Sequence, residues 1–313
     1  MNTHLLILDP SAEKYKKALQ PKFPEVVIHA TTQEEGVGAF IEKMHVLLTF
    51  RISDDLIKKA GNLQWIQAMG TGVDRLMDLP SLRKEVLITS TRGIHGPQMS
   101  EMALLLMLSL SRNFPQTVRN QDQEIWERWP GEMLYQKKVG ILGIGVIGRE
   151  IALKCKAFGM TVFGISRREK NLDAIDYFYG PKDLLKVMSE VDYFIIAVPL
   201  TPETRMMIGS QALSSMKPTA FLINLARGAI IDEDALVHAL NSKTIAGAAL
   251  DVFSQEPLPK EHPFWKMRNV IITPHMGGWV TNYAEQVLGI FEDNLQRFLR
   301  GERETLVNLV ERH

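Results

Sequence analysis

Hydrophobic residues in this chain are grouped into short runs, and the stretches between the runs alternate apolar and charged residues at helical spacing. Short buried runs joined by amphipathic helices are typical of parallel sheets that helices cover on both faces. One set of predicted strands lies at 4–9, 25–30, 45–50, 65–69 and 86–90. A second set lies at 138–143, 161–166, 193–199, 220–225, 247–252 and 270–273, with helical patterns at 147–158, 204–215 and 232–241. The pattern predicts an α/β protein with two doubly wound parallel sheets, of Rossmann or flavodoxin-like type.

Two longer helical patterns are expected to connect the two sheets. A helical stretch at 97–125 has Pro97 near its start, and an amphipathic pattern after Trp279 ends at Gly301. We expect the first helix to leave one domain for the other and the second to return, so that the two crossings form a hinge. The predicted domains are 1–96 with 284–313, and 97–283. A length of 313 residues suits two domains, because one domain holds roughly 150 residues.

The charge balance and the cysteine count restrict the partners and the compartment. Lys plus Arg and Asp plus Glu both number 36, so no net charge attracts nucleic acid or an anionic membrane. The apolar stretch 102–110 is shorter than the ~20 residues that span a bilayer, so it is expected to be a core helix. Cys155 is the only cysteine, which excludes an internal disulfide and favours the cytoplasm, with the thiol as buried filler. Because no His, Cys or carboxylate cluster has metal-ligand spacing, we expect no metal.

A glycine-rich loop, "GIGVIG" at 143–148, lies directly after a predicted strand and opens a predicted helix. This context is typical of a dinucleotide-binding turn. The first glycine allows the tight turn, the second lets the backbone approach a pyrophosphate, and the third lets the helix pack closely on the sheet. The predicted cofactor contacts here are Gly143, Gly145, Val146, Ile147 and Gly148. Dinucleotide binding is therefore assigned to 97–283, and substrate binding to 1–96 with 284–313.

The next predicted strand ends in Ser166, Arg167 and Arg168, where NAD-selective proteins carry a carboxylate. Guanidinium groups form charge-assisted hydrogen bonds with the extra phosphate of NADP, whereas a carboxylate repels it. The three residues therefore predict a preference for NADP(H), with NAD(H) as a possible substitute. The alternative is a solvated turn, since Glu169 and Lys170 follow immediately.

Six stretches of the chain carry a family resemblance when they are taken together. They are "MGTGVDRL" at 69–76, "SEMALLLMLSLSR" at 100–112, "VPLTPETRMMI" at 198–208, "INLARGAIID" at 223–232, "ALDVFSQEPLP" at 249–259 and "ITPHMGG" at 272–278. With the glycine loop, they resemble the D-isomer-specific 2-hydroxyacid dehydrogenase family over essentially the whole chain. The resemblance implies hydride transfer between a nicotinamide cofactor and a small 2-oxo or 2-hydroxy acid.

Three residues carry the catalytic part of the resemblance. It makes Arg227 the group that binds the substrate carboxylate and polarises the keto oxygen, His275 the acid/base, and Glu256 the partner of the histidine. The chemistry is coherent, because an alkoxide needs a proton from a group that titrates near neutrality and a nearby carboxylate favours protonated imidazole. Taken singly, the histidine could be a core residue, the glutamate a loop carboxylate and the arginine a turn cap.

The resemblance also implies further cofactor and substrate contacts. Asp251 resembles the residue that hydrogen-bonds the nicotinamide carboxamide. The other residues expected to line the cofactor are Pro199, Thr204, Ala226 and Gly277. The amides of Thr71 and Gly72 resemble a loop that holds the substrate carboxylate, although Gly70 and Gly72 could instead serve only the turn. Arg51 is either a substrate contact or a surface cation. Trp279 is expected near the mouth of the active site and in contact with the substrate, and Trp126 and Trp129 could lie at the same mouth.

The expected function is NADPH-dependent reduction of glyoxylate or hydroxypyruvate to the D-2-hydroxy acid. One alternative is a phosphoglycerate dehydrogenase, for which Arg51 would bind a phosphate and NAD would be the usual cofactor. A second alternative is a non-catalytic, dinucleotide-sensing corepressor. A homodimer is expected, because the helix at 97–112 is apolar around most of its circumference and must be buried on several sides.

Overall fold

The computed structural model describes residues 2–168 and 172–311 and divides the chain into two compact units. The first unit comprises Met1–Ile94 and Val280–His313, and the second comprises His95–Trp279. Each unit contains one parallel sheet, with five strands in the first and seven in the second. The predicted fold class, α/β with two parallel-sheet domains, is confirmed.

The first unit is built on a sheet of order β2-β1-β3-β4-β5. Its strands are β1 His4–Leu8, β2 Val27–Thr31, β3 Val46–Thr49, β4 Trp65–Ala68 and β5 Leu87–Thr89. Its helices are α1 Ala12–Leu19, α2 Asp54–Lys59, α3 Asp74–Met77 and, from the C-terminal part of the chain, α10 Tyr283–Leu299. Every residue of β3 and β4 is buried, as expected for central strands of a parallel sheet with both faces covered.

Helix α10 belongs to the core of the first unit. Phe291 and Phe298 both stack on Trp65, with ring centroids 5.4 Å apart in each pair. Between these aromatic contacts, Asn294 is fully buried and donates to Gln67 Oε1 over 3.0 Å. Asn294 also exchanges hydrogen bonds with the backbone of Val307, at 2.6 and 3.1 Å. The apolar stripe and this buried polar side chain together hold the returning segment against β4.

The second unit is built on a sheet of order β12-β11-β10-β9-β6-β7-β8. Its strands are β6 Lys138–Leu142, β7 Thr161–Ile165, β8 Tyr177–Tyr179, β9 Tyr193–Ile196, β10 Phe221–Asn224, β11 Gly247–Leu250 and β12 Val270–Ile272. Its helices are α4 Gly96–Ser111, α5 Phe114–Asp122, α6 Val146–Ala157, α7 Leu184–Glu190, α8 Ser210–Ser215 and α9 Glu233–Asn241. Since β6 lies between β7 and β9, the strand order reverses there, which is where ligands bind in sheets of this kind.

Two predicted helices differ from the observed ones. The single helix predicted at 97–125 is two helices, because Asn113 adopts a left-handed conformation with φ of 51° and a second helix starts at Phe114, with Pro115 in its first turn. The helix predicted at 204–215 begins only at Ser210. The residues before it are used otherwise, since the Met206 amide donates to the Ala229 carbonyl over 2.9 Å. Strand β8 and helix α7 are short and were not predicted.

No helix among the described residues is long and apolar enough to cross a membrane. Within the same residues, no group of three or more His, Cys, Asp and Glu side chains could hold a metal ion.

Candidate active site

The glycine loop follows β6 and has the geometry of a tight turn. Gly143 has a φ of +102°, and a Cβ at this position would lie 2.7 Å from the Ala197 carbonyl oxygen. A Cβ at Gly148 would lie 1.9 Å from the carbonyl oxygen of Gly143. At Gly145, by contrast, an added Cβ would meet no atom within 4 Å. Gly143 and Gly148 are thus required by the turn, whereas Gly145 faces open space.

Helix α6 begins directly after this open position. Its N-cap residue is Gly145, which offers no side chain to the amide groups of the first turn. These amides and the positive end of the helix dipole are a suitable site for a phosphate group. Val146 is exposed and Ile147 is half-buried in this first turn. The loop therefore fits the diphosphate of a dinucleotide, in both space and charge.

The end of β7 carries the two arginines of the predicted cofactor preference. The Ser166 amide donates to the Tyr179 carbonyl over 3.1 Å, which ties the loop to the neighbouring strand β8. Arg167 and Arg168 are both exposed. Arg167 Nη2 lies 3.6 Å from Glu203 Oε2, and the two side chains are 70% and 67% exposed. The alternative of a solvated turn rests on Glu169 and Lys170, which lie outside the described residues.

Glu203 is part of an ordered turn after β9. Its carboxylate accepts a 2.6 Å hydrogen bond from the Thr201 hydroxyl. The Thr201 hydroxyl, the Glu203 amide and the charge of Arg167 together hold the pKa of Glu203 below its ordinary value. Thr204 is buried, and its hydroxyl donates to the Pro199 carbonyl and accepts from the Thr201 amide, each over 2.8 Å. Pro199 and Thr204 thus shape this turn, whereas Glu203 was not predicted as a site residue.

His275 and Glu256 form a close pair. His275 Nδ1 lies 2.9 Å from Glu256 Oε2, and the side chains are 43% and 16% exposed. The second carboxylate oxygen of Glu256 accepts the Phe253 amide over 3.1 Å, which fixes the orientation of the carboxylate. Because a carboxylate only accepts, the imidazole carries a hydrogen on Nδ1 in this contact. Nε2 is then the ring atom that is left to exchange a proton with a substrate.

Asp251 anchors the loop that presents His275. Its Oδ1 accepts the Thr273 hydroxyl over 2.6 Å and the Met276 amide over 3.0 Å, and its Oδ2 accepts the Gly277 amide over 2.9 Å. His275 itself has a φ of 51°, a conformation that is uncommon outside glycine. The buried carboxylate stabilises this unusual turn. This anchoring role was missed from the sequence, which indicated only a contact with the nicotinamide.

Arg227 follows β10, and its backbone is held by Asn224. The Asn224 side chain is fully buried, donates to the Arg227 carbonyl over 2.9 Å and accepts the Ala226 amide over 3.0 Å. Next to it, a Cβ at Gly228 would lie 1.9 Å from the Phe253 carbonyl carbon. The Arg227 turn therefore packs against the segment that holds Glu256. Asn224 was not predicted, although a polar residue at the end of an apolar run is a detectable signal.

The predicted substrate residues are distributed over both units. Arg51, Thr71 and Gly72 belong to the first unit, where the Thr49 hydroxyl donates to the Arg51 carbonyl over 2.7 Å. Trp279 ends the second unit and is exposed. Two further tryptophans, Trp126 and Trp129, line a pocket of about 730 Å³ in the segment after α5, together with Arg112, Thr117, Asn120, Gln121, Glu124, Ile125, Glu127, Arg128 and Gly131. The residues of this pocket include none from the glycine loop or the His275 loop.

Comparison with known proteins identifies the family of the chain. Residues 104–277 match the family model described as D-isomer specific 2-hydroxyacid dehydrogenase, NAD binding domain. The chain belongs to the D-isomer specific 2-hydroxyacid dehydrogenase family. The matched residues include the glycine loop, Arg227, Glu256 and His275, so the second unit contains the nicotinamide-dinucleotide-binding domain of this oxidoreductase family. The family predicted from the sequence is confirmed.

Two relatives in this family illustrate its range. The chain is 33% identical to a D-3-phosphoglycerate dehydrogenase of Methanocaldococcus jannaschii, over 97% of this chain and 59% of that protein. It is 34% identical to a glyoxylate reductase of Pyrococcus furiosus, over 86% of this chain and 82% of that protein. The chain thus spans less than two thirds of the first relative and most of the second.

Solved structures of the same family share the fold over the whole chain. A D-isomer specific 2-hydroxyacid dehydrogenase family protein from Aeromonas salmonicida is 33% identical, with a TM-score of 0.90 and 99% of both chains covered. A D-isomer specific 2-hydroxyacid dehydrogenase from Xanthobacter autotrophicus, solved in complex with NADPH and MES, is 28% identical. It has a TM-score of 0.83 and covers 99% of this chain and 98% of that one.

Proposed function

We propose that this protein reduces a small 2-oxo acid of the glyoxylate or hydroxypyruvate type to the D-2-hydroxy acid, with NADPH as the preferred reductant. The observation that carries the proposal is the 2.9 Å contact between His275 Nδ1 and Glu256 Oε2. These two residues follow β12 and β11, which belong to the same sheet as β6, the strand before the glycine loop. The glyoxylate reductase relative, which matches over 86% of this chain, supports the substrate class.

The cofactor is assigned to groups at the carboxyl ends of the second sheet. The glycine loop binds the diphosphate, while Ser166, Arg167 and Arg168 bind the 2′-phosphate. The rest of the dinucleotide is lined by Pro199, Thr204, Ala226, Asp251 and Gly277. When bound, the dinucleotide supplies the hydride that reduces the carbonyl carbon. The solved relative in complex with NADPH supports this choice of cofactor.

The side chains of the protein bind the substrate and manage the proton. Arg227 holds the substrate carboxylate with its planar, permanently charged guanidinium and orients the keto group. The Nε2 atom of His275 gives a proton to the carbonyl oxygen, and Glu256 stabilises the charged ring before the transfer. The amides of Thr71 and Gly72 also bind the carboxylate. Arg51 and Trp279 are assigned to the substrate side chain.

The test is turnover of NADPH with a panel of 2-oxo acids that includes glyoxylate, hydroxypyruvate and phosphohydroxypyruvate. His275→Ala should lower kcat by roughly 10²–10⁴-fold, the usual worth of a positioned proton donor, while NADPH still binds. His262→Ala is the matched control, because His262 also lies near a carboxylate, at 3.9 Å from Glu233. NADPH binding without turnover of any acid would contradict the proposal and favour the dinucleotide-sensing role.

A phosphoglycerate dehydrogenase is the second candidate, because the Methanocaldococcus jannaschii relative with that name matches 97% of this chain. The alignment covers only 59% of that enzyme. The two candidates differ in their need for a phosphate contact, which would fall to Arg51. If the second candidate holds, phosphohydroxypyruvate should have the highest kcat/KM of the panel, and Arg51→Gln should lower that value selectively.

A homodimer is also part of the proposal. Leu105 on the apolar helix α4 is 55% exposed, and Trp126 beyond α5 is 94% exposed. We infer that a second copy covers these side chains, because the interfaces of homodimers are more apolar than the rest of the surface. Light scattering at micromolar concentration should give twice the mass of the chain, and a monomer mass would contradict this part of the proposal.

A further inference from the structure

Arg167 of the predicted NADP site lies near a carboxylate of the same chain, that of Glu203. We propose that Glu203 is a specificity-determining residue, which competes with the 2′-phosphate of the cofactor for Arg167 and so reduces the preference for NADPH over NADH. The inference rests on the proposed function, because it requires the 2′-phosphate to bind at the end of β7.

The position of Glu203 is set by its own turn and not by the arginine. The Thr201 hydroxyl donates to Glu203 Oε2 over 2.6 Å, whereas Arg167 Nη2 lies 3.6 Å from the same oxygen, beyond hydrogen-bond distance. The turn is held in place by the buried Thr204, through its 2.8 Å bonds to Pro199 and Thr201. The carboxylate therefore stays near Arg167 when the arginine turns to another anion.

The charge of Glu203 has two electrostatic effects, and both weaken the binding of NADPH. In the free protein, Glu203 attracts the Arg167 guanidinium, and this attraction must be given up when the guanidinium binds a phosphate. In the complex, the carboxylate repels the phosphate that Arg167 holds, since like charges a few ångströms apart disfavour each other. NADH carries no 2′-phosphate, so neither effect applies to it. Glu203 therefore lowers the affinity for NADPH selectively.

The expected size of the effect is modest, because both side chains are mostly exposed and water weakens their interaction. Glu203→Gln should lower the Kd for NADPH by about three- to tenfold and leave the Kd for NADH within about twofold. Glutamine keeps an oxygen that accepts the Thr201 hydroxyl, so the turn is preserved. Since mobile ions screen exposed charges, the gain should shrink at about 1 M salt.

The experiment measures the Kd of NADPH and of NADH by fluorescence titration, without substrate and in low and high salt. The matched control is Glu261→Gln, which removes the same charge from an exposed residue between β11 and β12, beyond the opposite part of the sheet from β7. The control should leave both Kd values unchanged. Equal changes for both dinucleotides in Glu203→Gln, or none, would overturn the inference.

A variant with Arg167 and Arg168 both changed to Gln separates this inference from the proposed function. The double variant should raise the Kd for NADPH at least tenfold and hardly change that for NADH, because each guanidinium–phosphate contact is charge-assisted. If it binds NADPH as the parent does, the proposed NADPH site itself is wrong. If it loses NADPH while Glu203→Gln changes nothing, only the role of Glu203 is wrong.

Discussion

The glycine loop offers a test in which stability and cofactor binding should separate. Gly148→Ala and Gly145→Ala each add one methyl group to the same turn, but the structure places these methyl groups in different surroundings. At Gly148 the new Cβ would lie 1.9 Å from the Gly143 carbonyl oxygen, and at Gly145 it would meet nothing within 4 Å. We therefore expect Gly148→Ala to destabilise the fold and Gly145→Ala to impair only dinucleotide binding.

The size of the first effect follows from the distances. Real Cβ atoms essentially never lie within 3.0 Å of a non-bonded heavy atom. The distance between the new Cβ of residue 148 and the Gly143 carbonyl oxygen must therefore increase from 1.9 Å by at least 1.1 Å. Gly143 cannot move freely, because its amide donates to Ile165 over 2.9 Å and its Cα faces Ala197. Overpacking of this kind costs about 1–3 kcal/mol. For a protein of this size, the loss corresponds to a fall in Tm of roughly 2–10 °C.

The second variant should leave the fold intact. Gly145 has a φ of −84°, which alanine adopts without strain, so Gly145→Ala should keep the Tm of the parent or raise it slightly. Its methyl group would occupy the space in which the diphosphate is proposed to approach the backbone. We expect the Kd for NADPH to rise at least about tenfold, since a hydrogen bond to a charged phosphate is worth about 1.5–3 kcal/mol and about 1.4 kcal/mol corresponds to tenfold in Kd.

The assays are thermal unfolding of the cofactor-free protein and fluorescence titration with NADPH. Gly289→Ala on α10 is the control, because its Cβ would also meet no atom within 4 Å and it lies in the first unit. It should keep or raise the Tm and leave the Kd unchanged. If Gly145→Ala binds NADPH as tightly as the parent, the diphosphate does not lie against this loop. An unchanged Tm for Gly148→Ala would refute the packing argument.

Three further changes test other parts of the structure. Glu256→Gln removes the carboxylate that lies 2.9 Å from His275 Nδ1 and orients the ring, so kcat for 2-oxo acid reduction should fall at least about tenfold while the Kd for NADPH stays unchanged. An unchanged kcat would show that the carboxylate does not support the histidine. Burial raises the pKa of the Cys155 thiol to about 12, so a thiol reagent at pH ~8 should label it only after unfolding. Rapid labelling of the folded protein would contradict this. Asn294→Leu removes the buried partner of the Val307 backbone groups. The free energy of unfolding, measured by urea titration, should therefore fall by at least about 2 kcal/mol. A smaller loss would mean that these backbone groups find other partners.

The fold class, most strands and the family were accessible from the sequence. The predicted strands at 65–69 and 138–143 differ from β4 and β6 by one residue at their ends. A buried strand in a parallel sheet is recognised from its own residues, because both of its faces must be apolar. The glycine loop is also recognised from its own residues, since Gly148 must pack against the Gly143 carbonyl of the same turn and Gly143 has a φ of +102°.

Helix boundaries were predicted less well, and the reasons differ between the helices predicted at 97–125 and 204–215. The break at Asn113 had a local signal in Pro115, which the apolar pattern of 97–125 outweighed. The late start of α8 had no such signal. Residues before Ser210 are held out of the helix by bonds to Ala229 and Ile230 from a later segment. A helical pattern alone does not reveal that the backbone amides of these residues donate their hydrogen bonds to another segment.

The family motifs indicated which side chains belong to the candidate site, but their contacts depend on the strand order. Asp251 supports the His275 loop because β11 and β12 are neighbours, and Glu203 reaches Arg167 because the turns after β9 and β7 lie at the same end of one sheet. Each of these pairs joins residues that are distant in sequence. Periodicity reports the environment of a residue and the preferences of its nearest neighbours. Which charge meets which across a sheet is decided only when the strands are paired, because ion pairs and hydrogen bonds act over a few ångströms in space, whatever the separation along the chain.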